Sequence, residues 1–164
     1  MKTEKRGNIL IKEMNVYHEA SEMLDLQLKS YQFEAELIGT SNIPPLRDTV
    51  ESIQQSGETF LGYYMEEEIC GIISYKAENN EMDIHRLFVH PAHFRKGIAK
   101  RLLTFIEKST EAMVVKVATA TKNTPAIHFY QKNGFRKLCE EKVEENLSIT
   151  HFIKEVEQRS FVKE

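Results

Sequence analysis

The chain has only two cysteines, Cys70 and Cys139, and their spacing fits no metal or redox motif. Both read as small, reduced, partly buried side chains. No apolar run is long enough to cross a bilayer. The opening residues, Met1 to Arg6, are charged and no hydrophobic stretch follows them, so no signal peptide is read and a cytoplasmic location is expected. No serine–histidine–aspartate or cysteine–histidine arrangement stands out as a nucleophile. One stretch also lacks a sign of charge: no acidic residue lies between Asp83 and Glu107. That window carries Arg86, Arg95, Lys96, Lys100 and Arg101, with His85, His90 and His93. A local basic region in a chain of net charge −3 points to a specific anion rather than to nucleic acid.

What is present reads as one domain. At 164 residues the chain can bury a core without staples. Apolar residues at 41% and charged residues at 29% argue against both disorder and a membrane protein. Residues 8–12 read as a first strand. Val16, Ala20, Met23, Leu24, Leu28 and Tyr31 recur at helical steps, giving a helix over 15–31. Pro44 and Pro45 mark a loop, and Asp48 is expected to cap a short helix that Gly57 follows. Residues 58–65, 69–77 and 81–89 form three strands joined by short polar turns, an antiparallel meander. The alternation in the third puts Met82, Ile84 and Phe88 on one face and Asp83, His85, Leu87 and Val89 on the other. Ile98, Leu102, Leu103 and Ile106 then form a helical stripe. Residues 113–120 read as a strand, and a helix opens at Asn123 or Thr124 with Pro125 in its first turn. Asn133 and Gly134 close it, and strands follow over 137–143 and 147–155. The tail from Gln158 reads as loose or as an edge extension. The order β α α β β β α β α β β is that of an α+β sandwich of about seven strands.

The start of the helix after Pro91 carries the chemistry. A helix N-terminus leaves four N–H groups without internal partners. No serine, threonine, aspartate or asparagine lies between His90 and Lys100 to cap them. Arg95 and Lys96 add positive charge at the positive end of the helix dipole, which costs about 0.3–1 kcal/mol each if nothing compensates. Gly97 removes the side chain where a ligand would approach the backbone. An anion of phosphate geometry resolves all three oddities.

Leu87-Phe88-Val89-His90-Pro91, followed by Phe94-Arg95-Lys96-Gly97-Ile98-Ala99-Lys100-Arg101-Leu102-Leu103, resembles the acetyl-CoA motif of the GNAT N-acetyltransferases. A second segment, Asn123 to Phe135, is similar to that family's second motif in order and spacing. The resemblance implies a GNAT-like mixed sheet with helices on both faces, splayed between its fourth and fifth strands. It implies that the backbone of Arg95, Lys96, Gly97, Ile98, Ala99 and Lys100 holds the coenzyme pyrophosphate. Leu87, Phe88 and Val89 would offer an unpaired edge to the pantetheine amides. Asn123 would contact the coenzyme arm, and Tyr130 would protonate the leaving thiolate. Phe94 departs from the pattern, since the family usually has glutamine or arginine there; Ala99 replaces the second glycine.

The implied activity is direct transfer of an acetyl group from acetyl-CoA to a primary amine in a ternary complex, with no covalent enzyme intermediate. A backbone N–H near Val89 is the expected oxyanion donor. Asp83, read as sharing a face with Leu87 and Val89, is the first choice of base, with Glu81 and His85 as rivals. No metal is expected, because only His90 and His93 are close in sequence and neither has a carboxylate or cysteine nearby. The alternative is a non-catalytic acyl-CoA-binding or sensing module. Glu34, Glu36, Glu66, Glu67 and Glu68 could attract a cationic acceptor. Small amines, aminoglycosides, polyamines and protein amines all remain open as acceptors. No nucleic-acid or membrane partner is expected, and a homodimer is left open.

Overall fold

A computed structural model describes residues 3–157 of the chain. Its core is one eight-stranded sheet in the order β1-β2-β3-β4-β5-β6-β8-β7. The strands are β1 (Thr3–Arg6), β2 (Ile9–Glu13), β3 (Thr59–Met65), β4 (Glu68–Glu78), β5 (Glu81–Val89), β6 (Val114–Ala120), β7 (Arg136–Glu144) and β8 (Leu147–Glu155). All neighbours are antiparallel except β5 and β6. The helices are α1 (Val16–Ile38), α2 (Val50–Gln54), α3 (Ile98–Ser109) and α4 (Thr124–Lys132). Helices α3 and α4 pack on one face of the sheet, and α1 and α2 on the other. The expected stripe Ile98, Leu102, Leu103 and Ile106 is fully buried against the first face. Each such side chain contributes roughly 1.5–3 kcal/mol, an upper bound for burial from an extended chain.

Several expectations are corrected by longer-range contacts. The eighth strand, β1, has the charged sequence Thr3-Glu4-Lys5-Arg6 and no apolar alternation; it forms because the turn at Gly7 (φ +60°) folds it back onto β2. Helix α1 continues seven residues past Tyr31, where Ala35 and Ile38 pack on Ile43 and Leu147, and Gly39 (φ +79°) then ends it. The cap of α2 is Thr49, whose hydroxyl accepts from the Ser52 N–H, and not Asp48. Asp48 is drawn away to Arg86. Cys70 is buried but Cys139 is exposed, and both are free. The tail from Gln158 lies outside the described residues.

The most consequential correction concerns β5. Ser74 pairs with Arg86 and Tyr75 with Ile84, so His85 is an extra residue, a β-bulge. The bulge shifts the alternation by one. Met82 and Ile84 share the α3 face with Leu87 and Val89, while Phe88 packs on the α1 face. Asp83 therefore lies on the face opposite to Leu87 and Val89. The same bulge turns Arg86 beneath α1. Its guanidinium bonds Glu58 through Nε (3.0 Å) and Nη2 (3.1 Å), and through Nη1 reaches Asp48 (2.8 Å) and the Gln27 carbonyl (2.8 Å). Ser74 donates to Glu58 at 2.6 Å, and Gln27 donates to Asp48 at 2.7 Å. One network thus joins α1, the residue before β3, β4, β5 and the loop before α2. Burial works to raise the Glu58 pKa, but the hydrogen bonds from Arg86 and Ser74 and the Arg86 charge outweigh it, and the carboxyl is held below its usual range.

Two outcomes follow. Arg86→Met leaves the largely buried Glu58 carboxylate and the partly buried Asp48 carboxylate without their cation and should lower stability by up to about 3–5 kcal/mol in urea unfolding. Because the folded pKa of Glu58 is depressed, its contribution is present above the unfolded value of about 4.3. It fades as pH falls through the lower folded value. Glu58→Gln should therefore cost stability at pH 7, and the gap to the wild type should narrow as pH falls from about 4.3 through the lower folded value in acid-denaturation curves.

Candidate functional site

The parallel pairing of β5 with β6 runs only from Glu81 opposite Val114 to Ile84 opposite Val117. Both strands continue, β5 to Val89 and β6 to Ala120, but no longer pair with each other. The bulge at His85 falls where the pairing stops. Leu87, Phe88 and Val89 remain bonded to β4 on their other side, so one backbone edge of this segment is open toward β6. An open edge buried inside a sheet leaves N–H and C=O groups that a ligand amide can satisfy.

The edge leads directly into the anomalous helix start. His90 N–H donates to the Cys70 carbonyl at 2.8 Å, and the His90 Nδ1 accepts from the Ala92 N–H at 3.0 Å, shaping a short turn over Pro91–His93. Arg95 then adopts φ +63° and Gly97 φ +77°. A non-glycine residue in the left-handed region is uncommon and strained, and such residues cluster at ligand clamps. Gly97 is the N-cap position of α3 and supplies no side-chain cap. A Cβ there would meet nothing within 4 Å, so the space in front of the helix is open. The first helical bond is from the Arg101 N–H to the Gly97 carbonyl, at 3.1 Å. The open N–H groups therefore belong to the residues expected from the sequence, Ile98, Ala99 and Lys100 among them. Cations continue past the turn: Lys96, Lys100, Arg101 and Lys108 border a groove of 390 Å³ between α3 and β1–β2, where Arg6 is paired with Glu4 at 3.3 Å.

Phe94 does not face this space as a polar ligand would. Its ring stands edge-on to Phe33 of α1, with centroids 5.3 Å apart. The position where the family has a polar side chain is here a contact between α1 and the turn.

The second motif approaches the splay from the β6 side. Asn123 accepts from the Ala126 N–H at 3.2 Å and so caps α4. Its Nδ2 donates to the Glu34 Oε1 at 2.7 Å, bridging α4 to α1. Tyr130 is buried beside Phe129, Phe135 and Phe152. Burial first, and then the Glu34 charge, push its pKa above the ordinary tyrosine value. Tyr31 stands one turn before Glu34 on α1, and its ring lies 5.6 Å from that of Phe88. Burial, Glu34 and Tyr130 all raise its pKa, while Arg86 and the Leu87 backbone work the other way. Glu34 itself is half-buried; burial raises its pKa and the Asn123 hydrogen bond opposes the rise. Tyr31, Glu34, Asn123 and Tyr130 thus form one electrostatic cluster at the mouth of the splay. Tyr31 was visible in the sequence only as a core-stripe residue, and Glu34 only as one of several carboxylates. The cue for both was their i, i+3 spacing on one helix face, which gains meaning once α1 is known to extend to Ile38.

The sequence candidates for the base lie elsewhere. Glu81 is paired with Lys116 at 3.0 Å, at the end of β5 remote from the splay. Asp83 and His85 are exposed; Asp83 lies 3.7 Å from the His85 Nε2, on the face away from Leu87 and Val89. His90 and His93 have ring centroids 5.9 Å apart. Among the described residues, no group of three or more histidine, cysteine, aspartate or glutamate side chains is placed to hold a metal. No described helix is long and apolar enough to cross a membrane.

Below this site the close packing of α3 on the sheet depends on Gly71. A Cβ on Gly71 would come within 2.8 Å of the Ile98 Cγ2 and 3.3 Å of the Phe88 carbonyl. Gly71→Ala should push the first turn of α3 outward and cost about 1–3 kcal/mol, measurable as a lowered unfolding midpoint.

Comparison with known proteins agrees with this geometry. The chain is 40% identical over 134 residues to the UPF0157 protein YqkA of Bacillus subtilis, covering 81% of this chain but 39% of that protein. It is 29% identical over 120 residues to a streptothricin acetyltransferase of Escherichia coli, covering 70% of this chain and 67% of that one. The PaiA N-acetyltransferase of Thermoplasma acidophilum, solved in complex with coenzyme A, superposes with a TM-score of 0.70 at 20% identity, over 91% of this chain and 99% of that one. The family described as the acetyltransferase (GNAT) domain matches residues 31–156, from Tyr31 to the end of the sheet. With the splayed strands and the uncapped helix start both in place, the chain belongs to the GNAT acetyltransferase family.

Proposed function

We propose that this protein transfers an acetyl group from acetyl-CoA to a primary amine by direct attack. The observation that carries the reading is the continuity of the open β5 edge with the uncapped start of α3. One segment from Leu87 to Lys100 offers amide-pairing groups and then anion-binding groups, the order of chemistry along an acyl-pantetheine diphosphate. Arg95, Lys96, Gly97, Ile98, Ala99 and Lys100 would hold the pyrophosphate, and Leu87, Phe88 and Val89 the pantetheine. Asn123 has a second Nδ2 hydrogen available for the arm of the coenzyme. When bound, acetyl-CoA supplies an acetyl thioester. The Val89 region offers a backbone N–H for the oxyanion. Burial and the Glu34 charge favour the protonated form of Tyr130, which supports it as the proton source for the departing thiolate.

The acceptor would approach from the side opposite the coenzyme turn. There the loop after α1 meets the β7–β8 turn around a cleft of 270 Å³ bordered by Thr40, Asn42, Glu144 and Glu145. Glu144 is held by Arg47 at 3.5 Å and by Asn42 at 2.7 Å, so Glu145 is the carboxylate at this cleft that would favour a cationic acceptor. Acetyl-CoA consumption against polyamines, aminoglycosides, small amines and peptide N-termini tests the reading. Turnover of at least one class is expected; no turnover, together with no thermal shift on adding acetyl-CoA, sinks it.

Three variants sharpen it. Gly97→Glu forces a side chain into φ +77° and sets a carboxylate in front of the helix, so coenzyme affinity should fall by about 100-fold or more in calorimetry. Phe94→Gln leaves the backbone donors intact and should change affinity by about threefold or less. Tyr130→Phe should lower kcat by about tenfold or more at unchanged coenzyme affinity. An unchanged kcat would instead favour a non-catalytic acyl-CoA-binding module.

A further inference from the structure

We propose that Glu34 is the catalytic base, taking the proton from the acceptor ammonium, with Asn123 holding its carboxylate at the mouth of the splay. This rests on the acetyl-transfer reading above. Three placements support it. Glu34 is on the same face of α1 as Tyr31, which lies against Phe88 of the open strand. It is tied at 2.7 Å to the N-cap of α4, across the splay from α1, by a contact spanning 89 positions in the chain. It is coupled by charge to Tyr130, the proposed proton donor. No lysine or arginine pairs with Glu34 among the described residues; Asn123 gives it one neutral hydrogen bond and leaves the second oxygen available. The titratable groups around it are Tyr31 on its own helix, Tyr130 on α4 and, beyond Tyr31, Arg86 on β5. Partial burial makes this carboxyl a stronger base than an exposed one.

The proton balance closes. The acceptor ammonium gives one proton to Glu34 and becomes a neutral amine. The amine nitrogen bonds to the thioester carbonyl carbon, and the carbon–sulfur bond breaks. The thiolate takes a proton from Tyr130, and the surplus proton on the new amide nitrogen returns to the Tyr130 oxygen. Glu34 then releases its proton to solvent. The coupling runs in a useful direction. The Glu34 charge is one of the two causes that hold Tyr130 protonated. Once Glu34 has accepted the amine proton that charge is gone, and Tyr130 becomes a better acid at the moment the thiolate leaves.

The test uses the full-length protein with the best amine found in the acceptor screen. Glu34→Gln keeps the shape and the Asn123 contact, so fold and coenzyme affinity should hold within about twofold. Its kcat/KM at pH 7 should fall by about 100-fold or more. The acidic limb of the pH profile should disappear, and an amine that is already neutral at pH 7, such as a fluorinated ethylamine, should recover most of the loss. Asn123→Asp keeps an oxygen cap for α4 but sets a second carboxylate against Glu34, so the acidic limb should move up by about one pH unit or more. If the wild type turns over and Glu34→Gln matches it, or the neutral amine recovers nothing, Glu34 is not the base while the acetyl-transfer reading stands. If the wild type consumes no acetyl-CoA with any amine, both fall together.

Discussion

One extra residue, His85, sets the geometry on which the rest depends. Parallel strands stay paired only while their registers and twists agree. The bulge changes both at the point where β5 would otherwise continue beside β6. Two results come from that single insertion. The backbone from Leu87 to Val89 is left with an open edge in the middle of the sheet. Arg86 is rotated under α1 instead of pointing toward α3 and α4.

The Arg86 network is the counterpart of the open edge. Opening a sheet in its middle removes ladder bonds that would have held the halves together. The guanidinium replaces them on the far face, binding α1 through Gln27, the lead-in to β3 through Glu58 and the loop before α2 through Asp48. Such a network is a weak source of net stability, because desolvating its charges offsets much of the gain. Its value is positional. Gln27 fixes the middle of the helix that carries Tyr31 and Glu34, and it also donates to the Pro45 carbonyl at 2.9 Å, so the loop after α1 is held in the same bracket.

Much of the fold was legible in local pattern. Strands β5 and β8 begin and end where their alternation and turn residues place them, and the apolar stripe of α3 is buried residue for residue. What escaped was set at a distance. A bulge has no local signature in Glu81 to Val89, because both sides of His85 alternate normally; the shift exists only against β4. The cap of α2 moved to Thr49 because Asp48 answers a charge 38 positions away. Of the candidate site, the start of α3 could be read directly, since an uncapped helix with cations and a glycine at its start is a local oddity. The cluster around Glu34 could not, because it depends on a helix extension secured by Ile43 and Leu147 and on a partner 89 positions along the chain.

The two ends of the sheet tell a separate story about survival of the folded chain. A sheet of eight strands must end in two strands whose outer hydrogen-bonding groups face water, and such borders recruit other chains. Here the borders are β1, with Glu4, Lys5 and Arg6, and β7, with Arg136, Lys137, Glu140, Glu141, Lys142 and Glu144. Any strand laid against either one would bring its side chains alongside this row of mixed charge, and both carry exposed residues along most of their length. The sheet can therefore stay open at its centre while mixed charge along its margins works against pairing with further strands.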